Sequence, residues 1–444
     1  MNRIAKSFVL SAALSAFTYL PAHAELEVAR LQAAIEKSIE ADYPKLDALY
    51  KDIHAHPELA FEEVKTSAKL AAEMRALGFE VTEKVGRTGL VAIYKNGDGP
   101  TIMVRTELDA LPMEEKTGLD YASRDKTNWN GRETFVAHSC GHDIHMASWI
   151  GAAKTLLGLK DQWRGTLMFI AQPAEEIVEG ARAMLADGLF TRFKKPDFAF
   201  ALHSGCAPYN AVSYRAGIGS SNVDGLYIKF LGRGGHGAMP QRTIDPVMMA
   251  ARFIVDVQSV ISREKDPTEF GIVTIGAVHS GTAANIIPDD ARVLGTIRSY
   301  KPAVRAKMLA GIERTAKAVA AMSDAPAPDI KLEEGTKAVF NDPAVVAAAE
   351  KVLKVAFGDR LRLTPANTTS EDFSEFAGAG VPSMMFNIGV YEPERWTAAN
   401  NSGTPLAGNH SPLFAPVPKP TIQTGVTAMT LAVLSAFDQH ARGK

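Results

Sequence analysis

Five runs of consecutive apolar residues constrain the fold of this chain most: Leu90 to Lys95, Thr101 to Arg105, Thr166 to Ala171, Phe198 to Leu202 and Ser383 to Ile388. A strand with one wet face alternates apolar and polar residues, whereas a strand covered on both faces does not. None of these runs alternates, and segments of helical period lie between several of them. The pattern predicts an α/β fold: a largely parallel sheet with helices on both faces. The residues just beyond the runs are equally informative. Glu107 and Asp109 come after the second, and Gln172-Pro173-Ala174-Glu175-Glu176 after the third. His203 comes after the fourth, and His410 lies beyond the fifth, past a polar loop. Carboxylates and imidazoles therefore collect at the carboxyl ends of the strands, where open α/β sheets place their sites.

Between residues 219 and 335 the texture changes. The order reads strand (Asn222–Leu231), helix (Asp245–Ser262), strand (Gly271–Val278), strand (Ala291–Tyr300), helix (Pro302–Met322), strand (Asp329–Glu334), a β-α-β-β-α-β unit. Strand and ligand material resumes afterwards. The unit therefore reads as an α+β insertion, with residues 25–218 and 336–444 forming one metal-binding domain around it. Interposed domains create clefts, and ligand sites favour such interfaces.

The chain has 444 residues, 46% hydrophobic and 22% charged, enough for two globular domains. A net charge of −2 and the lack of a large basic block argue against nucleic acid as a partner. Residues 1–24 show Arg3 and Lys6, an apolar run from Phe8 to Leu20, then Ala22-His23-Ala24. That is the pattern of a cleaved signal peptide, and it predicts a periplasmic or secreted protein. An uncleaved anchor is the other reading, but the run is short for a bilayer span. No later stretch is apolar enough to span a membrane. Export implies an oxidising compartment, yet there are two cysteines, Cys140 and Cys206. One structural disulfide would use both.

Cys140 argues for another use. It lies in Ala137-His138-Ser139-Cys140-Gly141-His142-Asp143-Ile144-His145-Met146-Ala147, just before a segment, Met146 to Leu159, that reads as a helix. Thiolate and imidazole are ligands for zinc and other borderline-soft ions, so Cys140 and His142 read as half of a metal site. A helix start and a metal both favour thiolate there. His54, His56, Glu58, Glu62 and Glu63 form a second cluster; two histidines near acids could ligate metal, but the favoured reading is that they cap and orient a helix from Glu63 to Leu77. Glu371-Asp372 reads as a cap too. His145 reads as packed, and His138 as a residue that orients a ligand.

Several motifs together resemble a known family. Ala137 to Asp143, Gln172-Pro173-Ala174-Glu175-Glu176, Leu202-His203, Gly234-Gly235-His236-Gly237, Asn285-Ile286-Ile287-Pro288-Asp289 and His410-Ser411-Pro412 occur in the order seen in the dinuclear-metal aminoacylase/carboxypeptidase family. They look most like its amidohydrolase branch of hippurate and auxin-conjugate hydrolases. The resemblance implies two divalent ions, zinc or manganese with cobalt also suitable, bridged by Cys140 and completed by His142, Glu176, His203 and His410. It implies Glu175 as general base and acid. It further implies that the insertion is a lid and dimerisation domain, so the chain would form a homodimer. His236 would reach across that dimer to the reacting carbonyl, Asn285 would bind the same oxygen or the substrate carboxylate, and Arg298 is a further carboxylate candidate. Asp109 would support a ligand histidine. The branch usually has Asp at Glu107 and often His at Gln241, departures that bear on substrate, and Thr127 to Phe135 looks longer and more polar than usual.

The physical chemistry agrees with those roles. A divalent ion lowers the pKa of bound water and polarises a carbonyl. Of two adjacent glutamates, one can bind metal while the other moves the water's proton to the leaving nitrogen. The expected activity is hydrolysis of N-acyl amino acids. A carboxypeptidase or dipeptidase is the near rival, and an exported two-lobed binding protein the rival from another class.

Overall fold

The computed structural model describes residues 19–442. The leader expected over residues 1–24 lies, up to residue 18, outside the described residues. A helix runs over Tyr19–Ala55 (α1) with Pro44 inside it. None of the described helices is long and apolar enough to cross a membrane.

The main strands, in chain order, are Glu80–Val85 (β1), Gly89–Asn96 (β2), Thr101–Glu107 (β3), Gly165–Gln172 (β4), Phe198–Pro208 (β5), Val212–Tyr214 (β6), Asp224–Leu231 (β7), Gly271–Ser280 (β8), Asp290–Ser299 (β9), Asp329–Glu334 (β10), Leu361–Leu363 (β11) and Ser383–Tyr391 (β12). One sheet has the order β1-β2-β4-β3-β5-β12-β6-β11. Its central strands, β4-β3-β5-β12, are parallel. The first apolar run becomes β2, which pairs antiparallel with both β1 and β4. Neighbours on each strand serve opposite faces. On β4, Leu167, Phe169 and Ala171 enter one hydrophobic cluster while Met168 and Ile170 enter another. Both faces are dry, which is why the sequence runs without alternation.

β7 to β10 form a separate antiparallel sheet of order β8-β9-β7-β10. Its burial alternates along β7, because the helices Pro246–Asp256 and Pro302–Met322 join its core from one side. Asp245 caps the first of them, accepting from Val247 N at 2.9 Å, with Pro246 in the first turn.

Two helices of the main unit set up the site. Val64–Ala76 (α2) follows α1, and His142–Gly158 (α3) crosses the sheet. The latter starts at His142 rather than at Met146, so the metal-type stretch forms its first turn. Gly141 precedes it with φ +87°, and a Cβ there would run into Ser204 Oγ. Close approach as well as backbone conformation thus requires glycine. Further along, Gly151 meets Val426 and Gly425 meets Ser148, so α3 lies tight against the terminal helix Pro418–Arg442. Trp149 is buried with its indole N–H on Val104 O at 3.0 Å, and truncating such a residue costs about 3–5 kcal/mol.

His54 is not a cap. It is buried between Asp143 (Nδ1 to Oδ2, 2.6 Å) and Glu115 (Nε2 to Oε1, 3.1 Å), tying the end of α1 to the first turn of α3. Glu58 is the residue that caps α2, accepting from Lys65 N and Thr66 N at 3.1 and 2.7 Å. Burial disfavours a charge on His54, but the bonds to Asp143 and Glu115 outweigh it and raise its pKa from 6.5 to about 10. A group whose pKa is raised on folding contributes stability that is full below its unfolded pKa and lost as pH rises through the folded one. Urea unfolding should therefore show the parent's stability advantage over His54→Gln at its full value below about pH 6.5 and shrinking between about pH 6.5 and 10. An advantage that stays constant across that window would reject a charged His54.

Candidate metal centre

Four chain segments converge at the carboxyl ends of the parallel strands. α3 begins with the Cys140 turn, β4 runs into the Glu175-Glu176 loop, β5 carries His203, and the loop after β12 carries His410. Donor atoms of Cys140, His142 and His203 lie within 4.8 Å of one another, as do those of Cys140, Glu176 and His410. Cys140 is common to both groups. All five expected ligands are thus in one place, and Glu175 joins His142 and Glu176 at the same spacing.

Hydrogen bonds aim the imidazoles. His142 donates from Nδ1 to Asp109 O at 2.7 Å, and His203 donates from Nδ1 to Ser204 O at 2.7 Å. Each Nε2 is left facing the cluster: His203 Nε2 sits 3.5 Å from Cys140 Sγ, and His142 Nε2 lies 3.8 Å from Glu175 and 3.9 Å from Glu176. Ligand histidines are oriented in this way. The loop histidine, His410, has φ +65° and donates its backbone N–H to Ser139 O at 2.7 Å. Its Nε2 is 3.3 Å from Glu176. Asn409, which no sequence motif marks as functional, donates to Cys140 O at 2.8 Å and Ser204 O at 3.1 Å. It binds three ligand segments together.

The donor set fits divalent ions. His142 Nε2 and Glu176 Oε1 are buried with no hydrogen-bond partner, an arrangement that is costly unless a ligand completes it. The local charge points the same way. Burial raises Glu175 well above the carboxylate range, helped by Glu371, Glu176 and Asp372. Burial also raises Glu176 to about 7 and pushes up the Cys140 thiol, where Glu176 and Glu175 add to it. At His142, burial opposes a charge but Asp109, Glu107 and Glu176 outweigh it, to about 10. His203 falls to about 3 through burial and the neighbouring His145. Burial, with the neighbouring acids, thus keeps protons on the acids and the thiol, a condition that a bound divalent cation reverses.

Behind the donors lies a second buried layer. Arg105 is fully buried and donates from Nη1 to Glu107, from Nη2 to Glu371 at 2.7 Å and Asp372 at 3.0 Å, and from Nε to Gln172 at 3.0 Å. Glu371 and Asp372 are therefore not simple caps; their carboxylates lie within 4.8 Å of Glu175. Glu107 faces this layer rather than a cleft: burial would raise it, but Arg105 and His145 hold it well below the usual range. His145 donates from Nδ1 to Glu107 at 2.9 Å and accepts from Ser204 N at 2.7 Å, so it supports the His203 strand. Asp109 Oδ2 accepts from Glu176 N at 2.9 Å. Both ring nitrogens of His138 are buried without a partner, so it orients no ligand.

The remaining candidates lie elsewhere. His236 and Asn285 are exposed on a small ribbon, Gly235–His236 with Ile286–Ile287. Gly237 N donates to Asn285 O at 2.8 Å, and among the described residues no hydrogen bond or ion pair joins either side chain to the cluster. Half-buried Arg298 donates to Thr368 O at 3.3 Å. Thr127 to Phe135 falls in a hairpin, Lys126–Trp129 with Arg132–Phe135. Cys140 is buried and Cys206 exposed, and both are free thiols.

Known proteins resemble this chain. The chain is 35% identical to the hippurate hydrolase of Campylobacter jejuni over 71% of its length and 80% of the relative's. It is 32% identical to thermostable carboxypeptidase 2 of Saccharolobus solfataricus over 86% and 93%. The solved structure of YXEP from Bacillus subtilis, a dinuclear metal binding peptidase from the M20 family, superposes with a TM-score of 0.73 at 26% identity, covering 90% of this chain and 99% of that one. Residues 103–402 match the description "Peptidase family M20/M25/M40", and the chain belongs to that family.

Proposed function

We propose that this protein is a metal-dependent amidohydrolase that cleaves the amide bond of N-acyl amino acids, hippurate-like conjugates among them. The observation that carries the reading is the Glu175-Glu176 pair. Glu176 belongs to the donor group with Cys140 and His410, while Glu175 lies beside it, buried, in no donor group that contains the thiol. A site that only stored metal would have no use for the second carboxylate.

Cys140, His142, Glu176, His203 and His410 would hold two divalent ions, zinc or manganese, with cobalt also suited to this donor set. When bound, such ions supply an activated water and a polarised carbonyl. The rest falls to the chain. Glu175 takes the water's proton and passes it to the leaving nitrogen. The dry surroundings strengthen each electrostatic contact. The second sheet acts as a lid and homodimer surface, from which His236 and Asn285 of a neighbouring protomer reach the oxyanion and the substrate; a donor so placed is typically worth a few kcal/mol. The pattern of residues 1–24 supports a periplasmic or secreted location.

Glu175→Ala should keep the parent's metal content and lose roughly 10²–10⁴-fold in kcat; a fully active variant would overturn the assignment of the base. Thorough chelation should abolish turnover, and zinc, manganese or cobalt should restore it, so activity that persists without metal rejects the scheme. A panel of N-acetyl, N-benzoyl and indole-acetyl amino acids beside dipeptides should show turnover of the acylated amino acids. Turnover of dipeptides alone would favour the carboxypeptidase rival.

A further inference from the structure

The loop that carries Glu175 and Glu176 is conformationally unusual. Ala174 and Val178 have φ of +49° and +54°, a region rarely adopted by residues other than glycine and least by β-branched ones. Gly180 has no room for a side chain, since a Cβ would overlap Pro173 O. Such backbone persists only where its surroundings enforce it. Buried carboxylates enforce it at several points. Asp109 accepts from Glu176 N at 2.9 Å and Asp372 Oδ2 from Ala181 N at 2.9 Å. The third comes from a distant segment: Glu63 Oε1 accepts from Ala174 N at 2.8 Å, and Thr88 Oγ1 donates to Glu63 Oε2.

Glu63 is out of place for any other purpose. It stands at the N-cap of α2 yet makes no side-chain cap bond; Glu58 does that work. Its side chain is fully buried, an expensive place for a carboxylate without specific partners. We infer that Glu63 is a positioning residue for the catalytic loop: through Ala174 N it fixes where Glu175 and Glu176 stand relative to Cys140, His142 and His410. This rests on the reading of Glu175 as base and Glu176 as ligand. The hold on the loop is measurable even if that reading fails.

The test compares Glu63→Ala, Glu63→Gln and Glu58→Ala in the full chain, by steady-state kinetics on an N-acyl amino acid, zinc affinity from chelator competition, and hydrogen exchange of peptides covering residues 173–181. Glu63→Ala should lose on the order of 10²-fold in kcat with KM little changed, bind zinc about 10-fold more weakly, and exchange faster across 173–181. Gln keeps an acceptor oxygen for Ala174 N and should restore all three. Glu58→Ala, which uncaps α2 alone, should lower thermal stability and leave kcat, zinc affinity and loop exchange at parental values. If Glu63→Ala does not fold, Glu63→Asp, too short to reach Ala174, is read by the same measurements. The inference is overturned if the folded Glu63 variant is merely less heat-stable, like Glu58→Ala, or if Gln behaves like Ala. Faster loop exchange and weaker zinc binding with unchanged kcat would sustain the role of Glu63 and reject Glu175 as base instead.

Discussion

Arg105 is the interaction on which the rest of this centre depends. It sits at the middle of the sheet, fully buried, with Glu107, Glu371 and Asp372 around its guanidinium. A buried guanidinium without acceptors is untenable, and buried carboxylates without a cation are equally so. Each therefore requires the others, and removing one partner from such a network typically costs about 3–5 kcal/mol. The consequence reaches the chemistry directly. Glu107 leans on His145, His145 on the backbone beside His203, and Asp372 on the loop behind Glu176. The donors are held by a charged layer whose own carboxylates are tied to Arg105.

Much of the fold and of the donor set is legible in the sequence, for a definite reason. Strands buried on both faces lose their alternation, so each stands out as an apolar run, and the residue after each run is a candidate by position. The donors Cys140, His142, Glu176, His203 and His410 emerge in that way and from the family resemblance, and the structure brings them together. The supporting layer is not legible. Arg105 and Glu371 are 266 residues apart, and nothing local marks an arginine inside a strand as the centre of a network. Glu371, Asp372, His54 and Glu63 each have an ordinary local explanation as helix caps. A carboxylate beside a helix start is usually a cap, and only packing shows that Glu58 has already taken that role. Asn409 is hidden by the histidine next to it.

The second sheet presents a different case. Its element order follows from periodicity because one face is dry and the other wet. The functions expected of His236, Asn285 and Arg298 concern groups that lie outside their own sheet, so no periodicity within the chain could position them. Within one chain, Arg298 is engaged with the loop at Thr368, and the His236 ribbon stands in solvent.

Asn409 also has a consequence in time. Its amide joins Cys140 and Ser204 to the segment of His410, residues separated by as much as 269 positions. The donors are therefore not assembled until almost the entire polypeptide is present and its sheet is closed. An incomplete chain has no preformed basket for ions. Because the whole donor set exists only in the folded chain, the free energy of holding metal and the free energy of folding are one linked quantity.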